Sequence, residues 1–198
     1  MSENIDFRVD YNKFKVMDEF NTDELKYPLI LSIPHCGTVF PEEFLRAVRH
    51  DVMTLRKNED ILVYDLLEPA IRDGGIAAIK LNVSRSFIDV NRAKVELDPN
   101  MFFDYPREDI GLNQQRSRYG LGIIHKVTAD SRPIYAGRIS YKEAEERIKN
   151  VYDVYHGRLK ELIARTIDKF GFCLVLDCHS MPSKICSIIS ESPRIDYC

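Results

Sequence analysis

Residues Phe172-Cys-Leu-Val-Leu176 form an apolar run that stops on Asp177-Cys178-His179-Ser180. A continuous run of this kind reads as a buried strand. The polar residues after it place an Asp and a His at the rim of a sheet, which is where α/β proteins bind ligands. A second segment has the same form: Pro28-Leu-Ile-Leu-Ser-Ile33, then Pro34-His35-Cys36-Gly37. Two strands that each end on a His predict a shared metal site. Gly37 permits a tight turn, so that backbone or metal can approach closely.

Working outward, helical spacing is read over 41–51, with Phe44, Leu45 and Val48 on one face. A second helix is read over 59–71, with Ile61, Leu62, Leu66 and Leu67 as its stripe and Asp73-Gly74-Gly75 as its stop. Residues 76–83 predict another strand, 85–91 continue extended, and Ile123, Ile124 and Val127 suggest a short strand. Ser140-Tyr-Lys-Glu143 has the form of a capping box. It opens a long helix striped by Ala144, Ile148, Val151, Tyr155, Leu159, Leu162, Ile163, Ile167 and Phe170 and stopped by Gly171. Residues 1–26 are polar with scattered aromatics and read as surface cover. Residues 98–122 are irregular, and 183–190 read as one more strand. Strands alternate with helices and are continuously apolar, which predicts an α/β fold with a largely parallel central sheet covered on both faces. The chain is expected to be one domain over 1–198.

Composition limits the partners. Of 198 residues, 44% are hydrophobic and 30% charged, as in soluble globular chains. The net charge of −3, with dispersed basic residues, gives no reason to expect nucleic acid. No apolar run approaches the ~20 residues that span a bilayer. Five cysteines, an odd number, without an export signal predict reduced thiols in the cytoplasm. No CxxC pair is present, which argues against a structural zinc knuckle.

A catalytic zinc takes three protein ligands and keeps one position open. His35 and His179 are two candidates. Glu59-Asp60 supplies a carboxylate by type, although acids also favour helix N-termini. Asp177, two residues before His179, shares its side of the strand and can fix the imidazole tautomer. Asp89-Val-Asn91-Arg92 ends another extended run, and Arg85, Arg92 and Arg138 are candidate anion binders. Cys36 and Cys178 flank the histidines, so a Cys-His nucleophile is the rival reading. His50, His125 and His156 read as structural or exposed.

Taken in order, Ser32-Ile-Pro-His35-Cys-Gly37, Asp60, Ser84-Arg85 through Asp89-Val-Asn91-Arg92, Arg132-Pro-Ile-Tyr135 with Gly137-Arg138, Tyr155-His156 and Asp177-Cys-His179-Ser-Met181 form a pattern. It resembles the N-formylglutamate amidohydrolase family over roughly residues 28–183. The resemblance implies a three-layer α/β/α fold related to the zinc carboxypeptidases, with a mixed, largely parallel sheet. It implies release of formate from N-formyl-L-glutamate, and a zinc held by His35, Asp60 (Glu59 as second choice) and His179. It also implies that the Asn91-Arg92 pair, with Arg138, holds the carboxylate of a small acidic N-acyl amino acid, and Arg85 stands beside them as a substrate-binding candidate by residue type. The family's general-base Glu is expected well downstream of the last metal His, beyond Cys198. Between His179 and Cys198 the only acids are Glu191 and Asp196, so the chain is expected to be C-terminally incomplete. The alternatives are another zinc carboxypeptidase-like deacylase or carboxypeptidase, and an inactive truncated homologue that binds metal. Oligomeric state is left open.

Overall fold

The computed structural model describes residues 4–106 and 119–181. In chain order its strands and helices are β1 (Asn4–Ile5), β2 (Met17–Phe20), β3 (Leu29–Ile33), α1 (Glu42–Ala47), α2 (Val52–Leu55), α3 (Val63–Arg72), β4 (Ala77–Leu81), β5 (Arg138–Ile139), α4 (Tyr141–Arg147), α5 (Asp153–Phe170) and β6 (Leu174–Asp177). A π-helical turn, Ile148–Tyr152, joins α4 to α5.

The main sheet has the order β2-β4-β3-β6. Strands β3, β4 and β6 run parallel, and β2 closes one edge antiparallel to β4. Successive residues of β3 face opposite sides, which explains its unbroken apolar run. Ile30 joins Ile79, Leu81, Tyr155 and Leu162 under α5, while Leu31 and Ile33 join Ala78, Val63 and Ile71 under α3. Helices therefore cover both faces of a mixed, largely parallel sheet, as expected of the three-layer α/β/α class.

The long helix begins as the sequence predicts, because Ser140 Oγ accepts the Lys142 N–H at 3.2 Å. The reciprocal half of the capping box does not form. Glu143 instead pairs with Arg147 at 3.0 Å in the interior, where an ion pair satisfies a buried carboxylate better than one N–H. Gly171 adopts φ +82° and donates to the Ile167 carbonyl at 2.7 Å, which ends α5 and turns the chain into β6.

Several expectations are corrected. Residues 1–26 are more than surface cover: Met17–Phe20 pairs with β4, and Asn4–Ile5 pairs with β5. The helix read over 41–51 stops at Ala47, because Val48 turns extended and bridges Tyr135. The helix read from residue 59 begins at Val63, and its buried residues are Val63 and Ile71. Leu66, expected in the stripe, is 78% exposed, and Ile61 and Leu62 are exposed with it. Residues 85–91 are a series of turns rather than a strand. Ile123 and Ile124 are buried without forming a strand, and the strand read over 183–190 lies outside the described residues. No helix among the described residues is long and apolar enough to cross a membrane.

Candidate metal centre

The centre forms where β3 and β6 end. His35 lies two residues beyond β3, on a loop that passes against β4's continuation at Val39 and Val83. A Cβ on Gly37 would lie 2.2 Å from the Val83 carbonyl oxygen. Only glycine allows that approach, and the approach fixes the loop carrying His35. His179 lies two residues beyond β6, and the Cys178 N–H is tied to the Ser32 carbonyl at 2.8 Å. Asp60 is brought in by its own backbone, whose N–H donates to the His35 carbonyl at 3.0 Å. Two residues on, Leu62 takes a left-handed φ of 69° before α3 starts. Strain of this kind persists where surrounding contacts enforce it.

Asp60 Oδ2 lies 3.3 Å from His35 Nδ1 and 2.9 Å from His179 Nδ1. The donor atoms of His35, Asp60 and His179 all lie within 4.8 Å of one another. With bonds of about 2.0–2.2 Å, tetrahedral zinc ligands sit about 3.3–3.6 Å apart, so the three atoms fit around such an ion with small adjustments. Two imidazoles and one carboxylate also form the donor set of a catalytic zinc, which leaves a fourth position open. Glu59 takes no part. Its Oε2 is held by Arg56 at 2.9 Å, and extended neighbours point to opposite sides.

Each histidine has a carboxylate behind it. Asp177 Oδ2 lies 2.9 Å from His179 Nε2, and Asp89 Oδ1 lies 2.8 Å from His35 Nε2. Such partners fix which ring nitrogen is protonated and turn the other toward the metal. The sequence reading takes Asp89 only as the end of an extended run. The signal for its role is an acid inside the apolar stretch Phe87-Ile88-Asp89-Val90, which burial tolerates only with partners. Asp89 is fully buried and also receives Arg85 Nε at 2.9 Å, the Asn91 N–H at 2.9 Å and His125 Nε2 at 3.3 Å. His125, expected to be structural or exposed, is thus a buried neighbour of the centre. The general-base Glu is expected beyond Cys198, and the whole stretch 182–198, with Glu191, Asp196 and Cys198 itself, lies outside the described residues.

The electrostatics follow from these contacts. Burial alone would raise the Asp60 carboxyl, but hydrogen bonds from His179 and His35 outweigh it and hold the group below the usual carboxylate range. For Asp89 burial is again outweighed, here by His125 and His35, and the group stays ionised. Hydrogen bonds to Asp177 and then Asp60 push His179 up to about 9. Burial pushes both neighbouring thiols up, Cys178 to about 11. They are therefore thiols rather than thiolates near neutral pH, which counts against a Cys-His nucleophile.

The anion-binding candidates divide. Arg85 lies on Asp89 with Nη1 3.9 Å from Asp60 Oδ1, and Arg92 Nε is 3.7 Å from Asp89 Oδ2 and donates to the Leu121 carbonyl at 3.1 Å. Asn91 Nδ2 donates to Asp177 Oδ2 at 2.9 Å. These three are at the centre. Arg138 is not: it is an exposed residue of β5 and lines a separate cavity with Arg49 and Lys126. His156 and His50 donate to the Val90 and Pro133 carbonyls.

Comparison with known proteins identifies the family and the fold. The sequence pattern of the N-formylglutamate amidohydrolase family matches residues 27–198. The N-formylglutamate deformylase of Pseudomonas aeruginosa is 26% identical over 165 residues, 81% of this chain and 54% of the relative. That of Pseudomonas putida is 24% identical over 162 residues, with the same coverage. The crystal structure of N-formylglutamate amidohydrolase from Ralstonia eutropha superposes with a TM-score of 0.78 at 28% identity, over 90% of this chain and 63% of that one. A gene product of Agrobacterium tumefaciens shares the fold, with a TM-score of 0.55 at 17% identity over 88% of this chain and 60% of that one. The chain spans about half the length of the curated relatives that it matches. It belongs to the N-formylglutamate amidohydrolase family.

Proposed function

We propose that this chain carries the metal centre of a zinc-dependent amidohydrolase that takes small acidic N-acyl amino acids, N-formyl-L-glutamate first among them. The observation that carries this reading is the convergence of His35, Asp60 and His179 within 4.8 Å, with Arg85 and Arg92 beside them. The two Pseudomonas relatives are named for deformylation of N-formylglutamate, and that substrate is extended to this chain as part of the proposal. The free thiols Cys36, Cys173 and Cys178 suit a reducing, cytoplasmic setting.

A zinc ion held by the three residues would polarise an amide carbonyl and acidify water. The chain's own residues supply orientation and charge. Asp89 and Asp177 hold the two imidazoles so that both Nδ1 atoms face Asp60. Arg85 and Arg92 are aligned by Asp89 and offer guanidinium groups to a substrate carboxylate or a developing oxyanion. The carboxylates hydrogen-bonded to the histidines, Asp60, Asp89 and Asp177, are committed to holding the site rather than to proton transfer.

The test measures bound zinc and formate release on the same purified chain. The substrates are N-formyl-L-glutamate, N-acetyl-L-glutamate and a neutral N-formyl amino acid. One zinc per chain, lost in His35→Ala and His179→Ala, with formate released fastest from N-formyl-L-glutamate, is the expected result. Retention of zinc in both variants would remove the proposed centre. Equal rates on the acidic and neutral formyl substrates would remove the carboxylate-reading role.

A further inference from the structure

Two buried hydroxyls lie behind His179, and neither packing nor the metal ligands account for them. Tyr155 and Ser32 are almost completely buried, and Tyr155 Oη lies 3.0 Å from Ser32 Oγ. Ser32 Oγ lies 3.0 Å from Asp177 Oδ1. A buried hydroxyl costs stability unless it is hydrogen-bonded, and Phe or Ala would fill these positions without that requirement.

We infer that Tyr155 and Ser32 are positioning residues that set the tautomer of His179 by locking Asp177. The inference rests on the metal reading proposed above. The direction of each bond follows from counting protons. Ionised Asp177 only accepts, so Ser32 donates its one proton to Oδ1. Tyr155 must then donate to Ser32. Oδ2 is left to accept from His179 Nε2–H and from Asn91 Nδ2, each at 2.9 Å. Asn91 Nδ2 also lies 3.0 Å from His179 Nε2, so the two nitrogens are crowded together on that oxygen. His179 then keeps its Nε2 proton whether or not metal is bound, and Nδ1, which donates to Asp60 in the free chain, is the nitrogen that gives up its proton to face the metal position. Bonds aligned in one direction polarise and strengthen one another.

The chain of bonds places helix α5 in the site at one remove. Tyr155 lies three residues after the π-helical turn, a distortion that recurs at functional sites because it re-aims the side chains that follow. The next residue, His156, donates at 2.7 Å to the Val90 carbonyl, between Asp89 and Asn91. One helix thus supports both carboxylates that hold the metal-facing imidazoles.

The test compares the full chain with Tyr155→Phe, Ser32→Ala and Ser32→Thr. Zinc affinity is read by chelator competition, His179 protonation by ring-nitrogen NMR, and stability by thermal unfolding. Removing a partner one bond behind a ligand typically weakens metal binding about 10–100-fold, so a partner one bond further back is expected to cost about three- to tenfold. Tyr155→Phe and Ser32→Ala should show that loss and a shifted His179 ring signal, with unfolding temperatures close to the parent's. Ser32→Thr, which keeps the donor, should restore both. Parent-like affinity and ring signals in Tyr155→Phe and Ser32→Ala would overturn the inference. So would an affinity loss that only follows a fall in unfolding temperature while the ring signals stay fixed. If the parent chain takes up no zinc, the metal reading falls and this inference falls with it.

Discussion

Asp60 offers one oxygen, Oδ2, to two imidazoles, and that sharing makes the triad a centre rather than a pair of ion contacts. Asp60→Ala should abolish stoichiometric zinc binding, checked by metal analysis after dialysis. Asp89→Asn leaves the three ligands in place but weakens the acceptor behind His35. Zinc affinity is expected to fall about 10–100-fold, read by chelator competition. His35, Asp60 and His179 are legible in the sequence because each stands beside a strand or helix boundary, where side chains meet at a sheet rim. Their partners are less legible. Asp177 can be found because two residues separate it from His179. Asp89 escapes because its partner is 54 residues away, and only the packing of the turns over 85–91 brings them together. Arg138 groups with the other arginines by residue type, but the β5 register with Asn4 places it elsewhere.

At the scale of elements, continuous apolar runs identify β3 and β4, whose residues are buried on both faces. The same reading finds β6 from its sequence but overstates its burial. β6 has one paired neighbour in the described sheet, and Leu174 and Leu176 are 53% and 46% exposed. Truncations should separate the two strands. Ile30→Ala, in the fully buried interior, should cost about 2–5 kcal/mol, and Leu176→Ala distinctly less, in denaturant titrations. The helix before β4 starts later than its apolar spacing suggests. Leu62 keeps helical spacing with Leu66, yet both face outward with Ile61, and of the expected stripe only Leu67 packs against the core. Gly37 is a site of close approach, as its place after His35 implies. Gly37→Ala drives a Cβ into the Val83 carbonyl and should cost about 1–3 kcal/mol, with a matching loss of zinc affinity because the same loop carries His35.

For the molecule as a whole, metal binding, protonation and stability are linked through His179, whose folded-state value of about 9 lies above the ordinary 6.5. A raised value stabilises the metal-free fold fully below pH 6.5, and that contribution is lost as pH rises through about 9. Metal requires the same imidazole to be unprotonated, so zinc binding at pH 7.5 must expel a proton that the free chain holds. Calorimetry in buffers of different ionisation enthalpy should therefore report proton release on binding, shrinking as pH passes 9. The two trends oppose each other: the free chain weakens between pH 6.5 and 9 while its zinc affinity climbs. A ligand at a hundred times its Kd adds about 2.7 kcal/mol to folding stability, and at fixed zinc that multiple increases as Kd falls. The zinc-induced rise in unfolding temperature is therefore expected to be larger at pH 8.5 than at pH 6, and absent at both in His179→Ala. A rise that is independent of pH would dissociate His179 from the metal.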